Sequence, residues 1–195
     1  MMNEEIIRIA CVGDSITAGF GLEDWDDSYP NQLYCLLGDK YLVNPNLGKS
    51  GSAIWCNSLL PYTSTREFFE AVHWPADIFI VCLGSNDTVS HITEQFCKEF
   101  KADYEKLLEQ LLITSPRAKV FLCTVPPIFR PENAPYAEKV PLINALIKEV
   151  AESNSVQLID LNTPLTSRFD LFPDGIHPNE KGARIIAETV YNAIN

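Results

Sequence analysis

Residues 6–15 read IIRIACVGDS, an apolar run, Ile6–Val12, that ends at Gly13, Asp14 and Ser15. A continuous apolar run of this length that stops at a glycine is typical of a strand buried on both faces of a parallel sheet. Four more runs of this kind follow along the chain: Tyr41–Asn44, Ile78–Leu83, Val120–Thr124 and Val156–Ile159.

Segments with apolar residues at helical spacing separate several of these runs. They lie between Phe96 and Leu111 and between Val140 and Val150, and a last helix is predicted to begin around Pro178-Asn179-Glu180. Strands that alternate with helices in this way predict βαβ units, and therefore an α/β fold with a parallel sheet.

Length and charge limit the functions that the chain can have. With 195 residues and 46% hydrophobic residues, we expect one folded domain over residues 1–195. The formal net charge of -11 disfavours nucleic acid and anionic membranes as partners. No secretory pattern follows Met1–Glu5 and no apolar stretch is long enough for a membrane span, so we expect a cytoplasmic protein.

The six cysteines suggest neither a disulfide framework nor a metal site. Cys11, Cys82 and Cys123 lie in separate apolar runs, which predicts free thiols in the core. There is no C-x-x-C pair, and His73, His91 and His177 show no ligand spacing. We therefore expect no metal ion and no organic cofactor.

Ser15 stands just past the end of the first predicted strand, where open α/β sheets collect functional groups. As a nucleophile it would need a base, a group that orients the base, and donors for an oxyanion. A serine in such a turn can also be a helix cap. A phosphate-binding loop is disfavoured, because the P-loop lysine is missing and Asp14 would repel a phosphate.

The segment Asp174-Gly175-Ile176-His177 precedes the last predicted helix. A carboxylate three residues before an imidazole can fold back onto the ring and fix its tautomer, which a general base requires. An Asp-Gly turn followed by an exposed histidine would have the same sequence.

Two further turns offer donors for an oxyanion. Asn86 follows the third strand and would donate from its side-chain amide. Gly51 follows the second strand and would donate from its backbone N–H to the same point. Both residue types are also common in turns and loops without any catalytic role.

Together these segments resemble the SGNH hydrolases, the GDSL-type esterase and lipase family. The four sequence blocks of that family occur in order and span most of the chain: Gly13-Asp14-Ser15-Ile16, Gly51, Gly84-Ser85-Asn86-Asp87 and Asp174-Gly175-Ile176-His177. Ile16 replaces the leucine of the GDSL name, which is an exchange of one apolar residue for another.

The resemblance implies a role for each residue of the site. Ser15 would be the nucleophile, His177 the general base and Asp174 the group that orients it. The oxyanion hole would consist of the Ser15 N–H, the Gly51 N–H and the Asn86 amide. The implied fold is a three-layer α/β/α sandwich, flavodoxin-like, with five parallel strands in the order 2-1-3-4-5 and no metal.

Further segments are similar to the carbohydrate and sialate O-acetylesterase members of the family: Ser28-Tyr29-Pro30, Asn46–Gly51, Pro61-Tyr62 and Phe172–Pro178. The resemblance thus implies a serine esterase that hydrolyses small acyl esters, acetyl esters above all, of a carbohydrate. A thioesterase or lysophospholipase with the same triad is the first alternative. A non-catalytic binding module is the second.

Three aromatic side chains, Trp25, Trp55 and Tyr62, are candidates for contact with a sugar, although aromatic residues belong to the core by default. The sequence leaves the natural ester and the oligomeric state open.

Overall fold

A computed structural model describes residues 6–129 and 134–195. The segment Met1–Glu5 and residues 130–133 of the proline-rich loop lie outside this description. Five parallel strands form one sheet in the order β2-β1-β3-β4-β5, which confirms the predicted topology. The strands are β1 Ile7–Gly13, β2 Tyr41–Gly48, β3 Ile78–Cys82, β4 Lys119–Cys123 and β5 Gln157–Ile159.

Helices cover both faces of the sheet, as the three-layer prediction requires. They are α1 Tyr29–Leu37, α2 Arg66–His73, α3 Glu94–Thr114, the single turn α4 Ala134–Ala137, α5 Val140–Ser153 and α6 Glu180–Ile194. Buried residues of α2, α3 and α5 form one core cluster with the sheet, and those of α1 and α6 form the other.

The central strand β1 contributes to both clusters. Ala10 and Val12 belong to the cluster with α3 and α5, whereas Ile9 and Cys11 belong to the cluster with α1 and α6. All four side chains have no exposed surface. Successive residues of a strand point to opposite faces, so a strand covered on both sides must be apolar throughout. This explains why the first run of the sequence is continuous.

Strand β2 is longer than predicted. The sequence suggests an end at Asn44 because Pro45 has no N–H to donate, but the strand continues to Gly48. β2 is an edge strand, and its pairing with β1 is irregular between the pairs Ala10–Asn44 and Val12–Leu47. Proline is tolerated at a sheet edge and beside such an irregularity.

The end of β1 is crowded, and only a glycine fits there. A Cβ atom on Gly13 would lie 2.0 Å from Thr17 Oγ1 and 2.8 Å from the Cys82 carbonyl oxygen. The chain after Gly13 therefore turns tightly against the end of β3, and this turn carries Ser15. The crowding therefore fixes the point at which the chain leaves the sheet and the turn of Ser15 begins.

All six cysteines lie among the described residues and are free thiols, with Cys11 and Cys123 buried as predicted and Cys82 partly exposed. Burial raises the pKa of the Cys11 thiol far above its usual range. A thiol of this kind stays protonated and unreactive. Among the described helices, none has a stretch long and apolar enough to cross a bilayer.

Candidate active site

Ser15, His177 and Asp174 lie in one hydrogen-bonded chain. The distance from Ser15 Oγ to His177 Nε2 is 2.9 Å, and the distance from His177 Nδ1 to Asp174 Oδ2 is 2.5 Å. Ser15 is 7% exposed and the His177 side chain 16% exposed. A hydroxyl, an imidazole and a carboxylate in this order have the geometry of a nucleophile, its base and an orienting group.

Asp174 is held by the backbone of its own loop. Its Oδ1 accepts hydrogen bonds from the amides of Ile176, at 2.9 Å, and His177, at 2.7 Å. Partial burial alone would raise the pKa of the Asp174 carboxyl, but the hydrogen bonds from the His177 ring and from these two amides hold that pKa below its usual range. Asp174 is therefore an ionised carboxylate that faces the imidazole at neutral pH.

The loop that carries His177 is fixed by its connections to the rest of the fold. Helix α6 begins at Glu180, and its N-cap residue Asn179 accepts a hydrogen bond from the Gly182 amide. On the other side, the Gly175 carbonyl accepts from the Phe129 amide at 2.7 Å. The histidine thus stands at the predicted junction between loop and helix.

Phe20 packs against the His177 ring, a contact that the sequence does not predict. The two ring centroids are 4.6 Å apart, and Phe20 remains 54% exposed. The Phe20 amide donates to the Ser15 carbonyl oxygen, so the turn that holds the serine also holds this ring. An aromatic ring here limits the motion of the imidazole. No sequence signal separates Phe20 from an ordinary surface phenylalanine.

The three predicted oxyanion donors follow three neighbouring strands, because β1 pairs with both β2 and β3. Gly51 and Asn86 line the same cleft, and Asn86 Nδ2 donates to the Ser52 carbonyl at 2.9 Å. Gly51 has a φ of +81°, a value that favours glycine. Within residues 6–129 and 134–195, the backbone N–H groups of Ser15 and Gly51 have no hydrogen-bond acceptor.

Asp87 joins the Asn86 turn to the loop after Gly51. The Asp87 carboxylate is fully buried and accepts hydrogen bonds from the amides of Ile54, at 3.0 Å, and Trp55, at 2.9 Å. Asp87 belongs to the block Gly84-Ser85-Asn86-Asp87, whose sequence alone assigns it no role. Its contacts keep the Asn86 turn and the Gly51 loop in a fixed relative position.

Lys139, just before α5, fixes the same turn from the other side. Its ammonium donates to the carbonyls of Thr88 and Ser90, at 2.8 Å each. The sequence around Lys139 does not predict this role, because the two carbonyls that accept its hydrogen bonds lie about fifty positions away in the chain. We therefore add Lys139 to the residues that position the site.

Two buried carboxyls beside the site have raised pKa values. Burial raises the pKa of Asp14 to about 6, although a hydrogen bond from the Ile16 amide lowers it. Burial likewise raises the pKa of Asp87 to about 6, against the hydrogen bonds from Ile54 and Trp55, and the charge of Asp14 adds to the rise. In the unfolded chain a carboxyl of this type titrates at about 3.9.

We expect these carboxyls to make the folded state less stable as the pH rises. A group with a raised pKa in the folded state contributes stability that is full below about pH 3.9 and is lost as the pH rises through about 6. In Asp14→Asn this contribution is absent. The free energy of unfolding of wild type relative to Asp14→Asn should therefore fall by about 2 kcal/mol between pH 4 and pH 8.

Urea unfolding at several pH values measures this difference, with the exposed Asp170→Asn as the matched control. A difference between wild type and Asp14→Asn that did not change with pH would contradict the burial argument.

Within the described parts of the chain, no group of three or more His, Cys, Asp or Glu side chains is placed to hold a metal ion.

Residues 11–185 match the model of the GDSL-like lipase/acylhydrolase family. The chain belongs to this family. The description of the family, GDSL-like lipase/acylhydrolase, confirms the predicted class of carboxylic ester hydrolase at the level of the family. The match includes all four sequence blocks on which the resemblance was based.

A curated relative of this GDSL-like chain is an acetylxylan esterase of Xylanibacter ruminicola. The two are 33% identical over 211 aligned positions, which cover 98% of this chain but 44% of that protein. The chain thus spans less than half the length of this curated relative.

Solved structures share the fold of the GDSL-like chain. The native aryl esterase of M. smegmatis superimposes with a TM-score of 0.78 at 22% identity, over 96% of this chain and 98% of that one. Est24, a carbohydrate acetylesterase from Sinorhizobium meliloti, gives a TM-score of 0.75 at 22% identity, again over 96% and 98%. At these identities the likeness establishes the three-layer fold.

Proposed function

We propose that this chain is a serine esterase that removes small acyl groups, acetyl above all, from the hydroxyls of a carbohydrate. Ser15 is the nucleophile, His177 the general base and Asp174 its orienting carboxylate. The Ser15 N–H, the Gly51 N–H and the Asn86 amide form the oxyanion hole. The observation that supports this proposal most is the 2.9 Å contact between Ser15 Oγ and His177 Nε2, in a ring already paired with Asp174.

In the proposed mechanism Ser15 Oγ attacks the ester carbonyl carbon while His177 Nε2 accepts its proton. The three donors stabilise the negative charge that develops on the carbonyl oxygen. His177 then protonates the leaving alcohol. Water attacks the acylated Ser15 with His177 as base, the bond between the acyl carbon and Ser15 Oγ breaks, His177 returns the proton to Ser15 Oγ, and the carboxylic acid leaves. No metal ion or organic cofactor takes part in these steps.

Support for an acetylated carbohydrate as substrate comes from the relatives. The curated relative is an acetylxylan esterase, and one structural neighbour is a carbohydrate acetylesterase. The net charge of -11 suits a neutral substrate better than a polyanionic one.

The same proposal includes a single domain over residues 1–195 and a cytoplasmic location. The location is supported by six free thiols, of which Cys35 and Cys56 are exposed, because exposed thiols persist in a reducing compartment.

Replacing Asn86 by alanine should lower kcat by about a hundred- to a thousand-fold with a smaller change in KM, because an oxyanion donor acts mainly in the transition state. The amide nitrogen carries two hydrogens, one of which goes to Ser52, so the other is available to the oxyanion. Steady-state kinetics on 4-nitrophenyl acetate test this. An effect confined to KM would make Asn86 a substrate-binding residue instead.

A panel of esters with different acyl groups tests the proposed function. Wild type should hydrolyse ethyl acetate and acetylated xylo-oligosaccharides, and kcat/KM should fall from acetate through butyrate to octanoate. A preference for octanoate, or for an acyl thioester over the matching oxygen ester, would establish the lipid or thioester alternative. If no ester in the panel were hydrolysed, the alternative of a non-catalytic binding module would remain.

A further inference from the structure

A cleft of about 430 Å³ adjoins the proposed oxyanion hole. Gly51 and Asn86 belong to its lining, so the cleft begins where the ester carbonyl would bind. An acetyl methyl is close in size to a water molecule, whose share of liquid volume is about 30 Å³. The cleft is thus far larger than an acetyl group needs and has room for another part of the substrate.

The lining of the cleft combines an apolar surface with small neutral polar groups. Trp55, Leu59 and Val89 supply the apolar part, and Asn57 supplies an amide group. None of the described residues that line the cleft carries a charge. A sugar ring has apolar C–H faces and hydroxyl edges, and this lining matches both. A phosphate or a fatty-acid carboxylate would find no cation here.

Trp55 is held firmly in this lining. Its Nε1 donates to Glu99 Oε2 at 2.8 Å, and its ring packs edge to face against Phe96 with centroids 5.2 Å apart. Its backbone amide donates to Asp87. The indole nevertheless remains partly exposed. An aromatic ring that is already ordered loses little conformational entropy when a ligand stacks on it.

The backbone around Trp55 is fixed by carboxylates of other elements. Asp87 accepts from the amides of Ile54 and Trp55, and Asp103 on α3 accepts from the amide of Cys56 at 2.7 Å. Glu99 also accepts from Asn57 Nδ2 at 3.2 Å. The loop that lines the cleft is therefore preorganised, which is a property of binding sites rather than of loose surface loops.

The other two aromatic candidates do not share this position. Tyr62 is 1% exposed and donates its hydroxyl to the Leu47 carbonyl, so it is a core residue. Trp25 is 45% exposed but does not line the cleft. Of the three, Trp55 alone combines exposure with contact to the cleft of the proposed oxyanion donors.

We propose that Trp55 is the stacking platform of a sugar subsite in this cleft, where it binds the pyranose ring that carries the acetyl ester or its immediate neighbour. The inference rests on the proposed esterase function, and it names the part of the substrate that sets specificity. Asn57, which is exposed, then faces the sugar hydroxyls.

Kinetics on two acetate esters test this subsite. Trp55→Ala should lower kcat/KM on an acetylated xylo-oligosaccharide by about tenfold to a hundredfold. On ethyl acetate, which has no ring to stack, it should change kcat/KM by less than about threefold. Trp55→Phe keeps a ring and should retain most of the activity on the sugar ester. Trp25→Ala, an exposed tryptophan outside the cleft, is the matched control and should leave both substrates unaffected.

Three outcomes would overturn the proposal. Equal losses on both esters would mean that Trp55 only supports the loop of Gly51. No loss on either ester would mean that the sugar does not touch Trp55. If Trp55→Ala lowered kcat/KM on ethyl octanoate but not on the sugar ester, the cleft would be a pocket for the acyl chain.

A binding experiment separates this inference from the esterase proposal. Calorimetric titration with xylotetraose, which has no ester, should show binding to wild type and at least tenfold weaker binding to Trp55→Ala. If wild type hydrolysed no ester but bound xylotetraose through Trp55, the esterase proposal would fail and the subsite would stand. If wild type hydrolysed acetate esters but Trp55→Ala bound xylotetraose as tightly as wild type, the esterase proposal would stand and the subsite would fail.

Discussion

Replacing Ser15 by alanine should lower kcat for ester hydrolysis by about a million-fold, the loss expected when a serine nucleophile is removed. The hydroxyl that pairs with His177 Nε2 is the only group that the substitution removes, and the methyl of alanine fits the same turn. Initial rates on 4-nitrophenyl acetate measure the loss. Circular dichroism and a urea unfolding curve show whether the fold is kept.

Ser50→Ala is the matched control for this experiment, because Ser50 is an exposed serine in the neighbouring loop and should be dispensable. A fluorophosphonate probe should label Ser15 in wild type and nothing in Ser15→Ala. Near-normal turnover by a pure Ser15→Ala preparation, or labelling at another residue, would show that Ser15 is not the nucleophile.

Replacing Asp174 by asparagine should lower kcat by about ten-thousand-fold. The amide can still accept from the Ile176 and His177 backbone through its oxygen, but its nitrogen then faces His177 Nδ1 as a donor. The ring must accept that hydrogen bond, so its proton moves to Nε2 and the face toward Ser15 can no longer act as a base. The pH–rate profile and kcat on 4-nitrophenyl acetate measure this.

Asp170→Asn provides the control, since Asp170 is an exposed carboxylate four positions earlier that pairs with Arg168. It should keep wild-type kcat. If Asp174→Asn also kept it, the orientation of His177 would have to come from another group.

The sheet could be predicted well because each of its strands leaves a local signal. A strand needs apolar residues wherever both of its faces are covered, and residues 9–12 of β1 and 78–82 of β3 satisfy that requirement within a few consecutive positions. The end of β2 could not be predicted, because the tolerance for Pro45 depends on the strand lying at the sheet edge, which is a property of the whole sheet.

The residues of the candidate site were predictable for a related reason. Ser15, Asn86 and His177 each stand beside a glycine or a short motif at a strand end or a helix start, where the local sequence is distinctive. Phe20 and Lys139 were not predictable, because each acts through a contact with a distant part of the chain: Phe20 through the His177 ring and Lys139 through the carbonyls after Asn86. The residues next to Phe20 and Lys139 in the sequence do not indicate either contact.

The proposed nucleophile and its base are 162 positions apart in the chain. Synthesis on the ribosome runs from the N-terminus, so the serine emerges with the first strand and the histidine emerges 162 residues later. Until then the proposed nucleophile lacks its proposed base. In the proposed mechanism the activity therefore arises only when the loop of His177 docks beside the turn of Ser15.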